Sequence, residues 1–262
     1  MSMPIKIPDE LRLALKSARH IAVLTGAGSS AESGVPTFRQ AQSGLWSRYD
    51  PQQLATPEAF RQNPGLIWDW YTWRRSLVTK AMPNPGHYAL AQMAELVPEF
   101  TLITQNVDGL HQEAGNPVVI ELHGNIMRTK CSDCGMIASE YDDKDPGPPR
   151  CSTCHGFLRP DVVWFGENLP QEALSSAYAA SRKCDIFLSI GTSSVVHPAA
   201  TLPIEAMRRG MLTIEVNPEQ TPLTSSMTFV LVGPSGTILP TLVSSTWPEY
   251  VAIEPRHNNG RR

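Results

Sequence analysis

Apolar residues fall along this chain in short, nearly unbroken runs, and between several of them the apolar positions recur at helical spacing. Six runs read as strands: Ile21–Thr25, Thr101–Thr104, Val118–Leu122, Ile186–Ile190, Leu212–Val216 and Phe229–Val232. Gln171–Lys183 and Ala199–Arg209 are two of the helix-period segments between them. Short strands of near-continuous apolar character alternating with helices predict an α/β fold, a Rossmann-like parallel sheet with helices on both faces. In such sheets ligands bind beyond the carboxyl ends of the strands. The segments that follow the runs, Gly26–Ser30, Gln105–Asp108, His123–Asn125, Gly191–Ser193 and Asn217–Glu219, are polar and turn-rich. They are expected to converge on one edge as a site.

Two segments break the alternation. Residues 41–82 hold no good strand, and residues 126–162 are turn-rich around Asp145-Pro146-Gly147-Pro148-Pro149. The expected division is a Rossmann-like domain of 10–40, 83–125 and 163–250, with a small module beside it. That module is built from a helical insertion, 41–82, and a second insertion, 126–162. Residues 251–262 form a polar tail expected to fray.

Composition narrows the class. With 41% hydrophobic and 18% charged residues the chain is of ordinary globular make-up, and its formal charge of −3 offers no global basic field to nucleic acid or anionic lipid. No run of about 18 apolar residues occurs and the first residues lack a long apolar core, so a cytoplasmic protein without membrane attachment is expected. Five cysteines, four of them in two Cys-x-x-Cys pairs, fit a disulfide framework poorly. Cys131-x-x-Cys134 and Cys151-x-x-Cys154, sixteen residues apart, have the spacing of two knuckles closing a tetrahedral Zn²⁺ site. Four thiolates leave no open coordination position, so one structural zinc is expected. His155 is not needed as a ligand, and Cys184 reads as a small buried hydrophobe.

Gly26, Gly28 and Ala31 follow the first strand with G-x-G-x-x-G/A spacing, which suits a dinucleotide pyrophosphate at a helix start; an ordinary glycine turn has the same spacing. The acidic residue that a dehydrogenase places roughly 20 positions later is missing, since Gly44-Leu45-Trp46-Ser47 occupy that neighbourhood. Gln105-Asn106-Val107-Asp108-Gly109 offers amides and a carboxylate suited to a ribose or carboxamide, or else forms a plain turn. His123, ending a strand at the expected cleft, is placed as a general base or as a structural histidine.

Taken in order, these motifs resemble the sirtuin family of NAD-dependent protein-lysine deacylases over nearly the whole chain. The resemblance is carried by Gly26–Ser30 through Gly34-Val35-Pro36-Thr37-Phe38-Arg39, by Thr104–His111 with Ala114-Gly115, and by His123-Gly124-Asn125. The cysteine quartet, Val162–Glu167, Gly191-Thr192-Ser193 and Asn217-Pro218-Glu219 complete it. It implies a sirtuin-like fold with an NAD-binding Rossmann-type domain and a small zinc-containing domain, and an acyl-lysine peptide entering between them. It implies NAD contacts from Gly26, Ala27, Gly28, Ser30, Glu32, Phe38, Arg39, Gln105, Asn106, Asp108, Gly191, Thr192, Ser193, Asn217 and Ser235. His123 would be the catalytic base, assisted by Asn106 and Asp108, in a reaction releasing nicotinamide and O-acyl-ADP-ribose. Val163, Phe165, Gly166 and Glu167 would pair with the peptide as an added strand. Mono-ADP-ribosyl transfer and a non-catalytic NAD- or ADP-ribose-sensing module are the alternatives.

One further stretch bears on substrate choice. Asn63 and Pro64 signal a helix start, and the helix should run toward Lys80 and stop before Pro83. Tyr71 and Arg74 then lie side by side on it. Periodicity alone leaves them as a core tyrosine beside an extended arginine stem. Tyr71-x-x-Arg74 resembles the pair of class III sirtuins that receives the carboxylate of succinyl-, malonyl- or glutaryl-lysine, which implies acidic acyl-lysine substrates with acetyl-lysine as a secondary one.

Overall fold

A computed structural model describes residues 6–35, 50–141 and 147–250. In chain order the strands are β1 (His20–Thr25), β2 (Glu99–Thr104), β3 (Val119–Glu121), β4 (Gly124–Cys131), β5 (Leu158–Val162), β6 (Ile186–Ile190), β7 (Leu212–Asn217) and β8 (Phe229–Val232). Six of them form one sheet in the order β3-β2-β1-β6-β7-β8, with every neighbouring pair parallel. The chain thus builds outward from β1 in one direction, then returns to β6 and builds outward in the other. The reversal between β1 and β6 is the switch point at which doubly wound sheets open a crevice.

Alternation along the strands supplies two cores. Ile21 and Val23 of β1, with Leu188 and Ile190 of β6, pack with helices α1 (Asp9–Ser17), α5 (Pro85–Leu96) and α9 (Ser235–Thr246). Ala22 and Leu24, with Phe187, face α7 (Gln171–Lys183) and α8 (Thr201–Arg208) on the other side. Burial on both faces is why these strands read as continuous apolar runs.

The remaining elements gather beside the sheet. Short helices α2 (Pro51–Leu54) and α3 (Pro57–Gln62) precede α4 (Pro64–Val78), and α6 (Leu110–Glu113) follows β2. Asn63 caps α4 by accepting from the Leu66 N–H at 3.1 Å, with Pro64 in the first turn, where the cap signal places the start. Ile67, Trp70, Tyr71 and Val78 of α4 form a third core with Phe60, Ile126, Val162 and Trp164. The turn-rich stretch after residue 125 does contain regular structure: β4 and β5 pair antiparallel, with a register irregularity between Asn125 and Thr129.

Candidate active site

The turn after β1 meets the turn after β6 backbone to backbone. Gly26 N–H donates to Ile190 O (3.0 Å) and Gly28 N–H to Gly191 O (2.8 Å). A Cβ on Gly28 would lie 2.8 Å from Gly191 Cα, and one on Gly191 would lie 2.3 Å from Ser29 N. Glycine is required on both sides because the switch point closes to main-chain contact. The expected helix start is corrected here. Ala27–Ser33 is a 3-10 segment, and the Ser29 side chain bonds back to Gly26 O at 2.8 Å, a local competition that disfavours α-helix. The amides of Gly28 and Ser29 are engaged by Gly191 O and Gly26 O, which leaves a narrower set of donors for an anion than a helix N-terminus would.

Beneath this turn lies a buried polar cluster. Asn106 Nδ2 donates to Gly26 O (3.1 Å), Ser29 Oγ (3.0 Å) and Ser30 Oγ (3.1 Å). Ser30 Oγ donates to Asp108 at 2.8 Å, and Leu110 N–H donates to the other carboxylate oxygen at 3.0 Å. Burial raises the Asp108 pKa above its ordinary value against the opposing pull of those two bonds. Thr104 Oγ1 accepts from Asn106 N–H (3.0 Å) and from Thr25 Oγ1 (2.8 Å), which also meets His111 Nε2 at 2.9 Å. His87 and His111 stack with centroids 4.7 Å apart, and burial pushes them down to about 4 and about 3. Both rings are therefore neutral at physiological pH.

His123 stands at the edge of this cluster, partly buried. Its Nδ1 lies 3.0 Å from the Gln105 carbonyl, which can only accept, so Nδ1 carries the hydrogen and Nε2 keeps its lone pair. Two features hold the ring's backbone: Val163 N–H donates to His123 O (2.9 Å), and Gly124 passes so close to β5 that a Cβ would lie 2.1 Å from Asp161 O. Burial lowers the His123 pKa below the ordinary imidazole value, the bond to Gln105 opposing it.

From Gln105 the site continues across the strand ends. Gln105 Nε2 donates to Thr192 Oγ1 (3.1 Å), and Asn217 Nδ2 donates to Thr192 O (3.0 Å). Ser193 is exposed, whereas Ser194 and Ser235 are buried with hydroxyl oxygens that have no partner among the described residues. Glu32 accepts from Gly236 N–H at the start of α9 (2.7 Å), so its carboxylate caps a helix. Close-packed glycines at the switch point, amides and hydroxyls along the strand ends and two orphaned buried serines fit an extended, polar dinucleotide. Phe38 and Arg39 lie outside the described residues.

Opposite the sheet, Val163, Phe165, Gly166 and Glu167 form a strand-to-turn segment. Phe165 N–H donates to Ala55 O (2.9 Å), and Phe165 is 46% exposed. Burial acts to raise the Glu167 pKa, but two bonds from Arg159 (2.5 and 3.0 Å) and one from Trp164 N–H (2.8 Å) outweigh it and hold the pKa below the usual range. The Arg159 guanidinium also covers the Trp164 ring at 3.2 Å. Trp164 Nε1 in turn donates to the buried Tyr71 hydroxyl at 2.9 Å, which leaves the phenol its own proton to give. The Arg74 guanidinium is 5.8 Å from the Tyr71 ring and 5.1 Å from that of Trp70.

The sulfurs of Cys131, Cys134, Cys151 and Cys154 all lie within 4.8 Å of one another, with Cys131–Cys154 at 3.4 Å and Cys134–Cys151 at 3.8 Å. Tetrahedral Zn–S bonds of about 2.3 Å require sulfurs about 3.8 Å apart, so the quartet fits zinc. Backbone N–H groups of Cys154 and Thr153 pull the Cys151 thiol down to about 7, toward the thiolate a metal needs. Cys184 is buried and distant from the quartet in sequence, and burial pushes its thiol up to about 12.

Sequence reasoning passes over Thr25, Thr104, His87, His111, Arg159 and Trp164 as individual site groups. The signal available is positional: both threonines close their strands, and His87 sits at the third position of a helix capped by Asn84.

A family model described as "Sir2 family" matches residues 26–198. An NAD-dependent protein deacylase of Aquifex aeolicus is 57% identical over 206 residues, covering 78% of this chain and 86% of that protein. A crystal structure of a Sir2 homologue–NAD complex superposes with TM-score 0.87 at 40% identity, covering 95% of this chain and 97% of the other. A structure of Sir2 bound to acetylated peptide gives TM-score 0.81 at 30% identity, covering 94% and 98%.

Proposed function

The chain belongs to the Sir2 family and is an NAD-dependent protein deacylase, and from that premise we propose that it removes acidic acyl groups, succinyl, malonyl and glutaryl, from lysine side chains in preference to acetyl. When bound, NAD supplies the departing nicotinamide and the ribose that accepts the acyl group. The residues suited to hold it are Gly26, Ala27, Gly28 and Ser30 along the phosphates, Gln105, Asn106 and Asp108 at the reacting ribose, and Gly191, Thr192, Ser193, Asn217 and Ser235 along the adenosine half, with Glu32 placed beside Gly236. His123 withdraws a ribose hydroxyl proton at Nε2, the nitrogen its bond to Gln105 leaves unprotonated. Val163, Phe165, Gly166 and Glu167 align the peptide as an added strand. Zinc held by the four cysteines stays outside the chemistry. The domain reading is a large NAD-binding unit of 10–40, 83–125 and 163–250 with the two insertions as its small partner, and the compartment is the reducing cytoplasm.

The bond from Trp164 to Tyr71 carries the acyl assignment. It ties Tyr71, with Arg74 beside it, to the segment proposed to hold the peptide, which supports reading the pair as the receiver of the acyl end. A planar guanidinium can grip a carboxylate with two parallel bonds while the phenol adds a third. Charge-assisted bonds contribute about 1.5–3 kcal/mol each, enough for roughly ten- to hundredfold discrimination.

Mass spectrometry on a panel of acyl-lysine peptides tests both parts. Nicotinamide and O-acyl-ADP-ribose should form together, fastest with succinyl-lysine; nicotinamide without the O-acyl product would indicate ADP-ribosyl transfer instead. Arg74→Met should cut kcat/KM for succinyl-lysine roughly ten- to hundredfold and for acetyl-lysine little. Equal losses on both substrates would remove the acidic-acyl reading.

A further inference from the structure

Helix α4 has two working faces. Tyr71 and Arg74 lie on one. On the adjoining face Trp68 and Arg75, two turns apart, grip the metal module. Trp68 is 4% exposed and packs in a core of its own with Cys131, Cys151 and Leu158, with Ala138 against it. Arg75 stacks over Trp68 at 5.4 Å and donates to Ile126 O (2.6 Å), Arg128 O (3.0 Å) and Thr129 Oγ1 (2.9 Å). All three acceptors belong to β4, the strand that ends in Cys131. A fourth contact reaches Tyr141 Oη at 3.4 Å, and Tyr141 meets the Trp68 ring edge-on at 5.9 Å.

Two of these acceptors are main-chain carbonyls, so Arg75 registers the position of the strand and not merely of a neighbouring side chain. Because a helical turn is stiff, whatever fixes residue 75 also fixes residues 71 and 74, on its own turn and the preceding one. The ring stack of Arg75 on Trp68 closes the loop, since Trp68 shares its core with Cys131 and Cys151. Displacing the metal module would therefore shift the acyl-recognising face of α4 through a continuous set of bonds and packed rings.

We propose that Arg75 is a positioning residue for acyl selectivity: it pins α4 to the strand that ends in Cys131, so that zinc retention and discrimination among acyl groups are coupled properties. The inference rests on the assignment of Tyr71 and Arg74 above. Arg75 touches neither NAD nor the acyl group in this scheme, and its effect passes through α4.

The test uses the zinc-loaded full chain in three variants: Arg75→Met, which keeps the stem, Thr129→Val, which removes one acceptor at nearly constant volume, and Arg74→Met as the reference. Two quantities are measured, the ratio of kcat/KM for succinyl- over acetyl-lysine peptide and the rate of zinc release to a chromogenic chelator. Arg75→Met should lower the ratio roughly three- to tenfold, through KM for the succinyl peptide, with KM for NAD unchanged. It should also release zinc faster, and Thr129→Val should do both to a smaller extent. Proportional losses on both peptides, or zinc release unchanged beside an altered ratio, would overturn the coupling. If Arg74→Met collapses the ratio while Arg75→Met and Thr129→Val leave it intact, the coupling alone fails; if Arg74→Met leaves it intact, the acidic-acyl reading fails and the coupling with it.

Discussion

At His123 two influences act on one proton. Burial disfavours the imidazolium and lowers the pKa, the Nδ1–H bond to the Gln105 carbonyl favours it, and burial prevails. A base works only while neutral, so activity should be constant above the lowered pKa and fall as pH drops through it. The acid limb of kcat/KM should accordingly lie below about 6.5, the ordinary imidazole value. His87 and His111, held near 4 and 3, stay uncharged until the pH falls to those values and would contribute only there. His123→Ala should lose about 10²–10⁴ in rate while calorimetry still detects NAD binding. A limb above 6.5, or turnover retained in the variant, would assign the base elsewhere. Asn106, Asp108 and His123 are legible in sequence because each follows an apolar run. The link from Thr25 to Thr104 and His111 is not, because it comes from the adjacency of β1 and β2, and a strand-ending threonine carries no periodic signal.

The elements differ in how plainly they announce themselves, and the cause is burial. β1 and β6 are covered on both faces, so they appear as apolar runs whose ends match the structure within a residue. β4 and β5 carry Arg128, Lys130, Arg159, Pro160 and Asp161, which break the apolar run, and their pairing depends on long-range closure around the cysteines. The glycine turn after β1 is legible as a turn but not as the partner of another turn. Its 3-10 form follows from side-chain competition and from the approach of Gly191. That approach makes Gly191→Ala a sharp test at this scale. The new methyl would meet Ser29 N at 2.3 Å, and the residue holds φ +59, where L side chains are strained. Overpacking of this kind costs about 1–3 kcal/mol. The variant should show a lowered Tm and a raised KM for NAD with KM for the peptide nearly unchanged. Wild-type values for both would mean that the β1 and β6 turns can separate without consequence.

For the molecule as a whole, the question is what keeps the metal module folded beside a sheet that has its own two cores. The large sheet packs its six strands against five helices, whereas the small sheet has two strands, and a two-stranded unit is marginal in water. Its core on the metal side is Trp68, Cys131, Cys151 and Leu158, of which two are proposed metal ligands. Without zinc nothing bridges the four sulfurs, which all lie within 4.8 Å of one another. Metal binding at such a site is folding free energy, and apparent values of about 10–16 kcal/mol are known for structural zinc. Zinc removal by chelation should therefore unfold the module before the sheet. Amides of β4 and β5 should lose hydrogen-exchange protection while those of β1 and β6 keep theirs, and Trp68 fluorescence should shift as its ring leaves the cysteines. Deacylation should fall with the loss of β5, because Val163 N–H and Gly124 anchor His123 through it. NAD affinity should fall less, since the Gly28–Gly191 bond and the Asn217–Thr192 bond lie at the strand ends of the large sheet. Metal analysis showing less than one zinc in fully active protein, or protection lost uniformly over both sheets, would show that the module does not depend on the metal in this way.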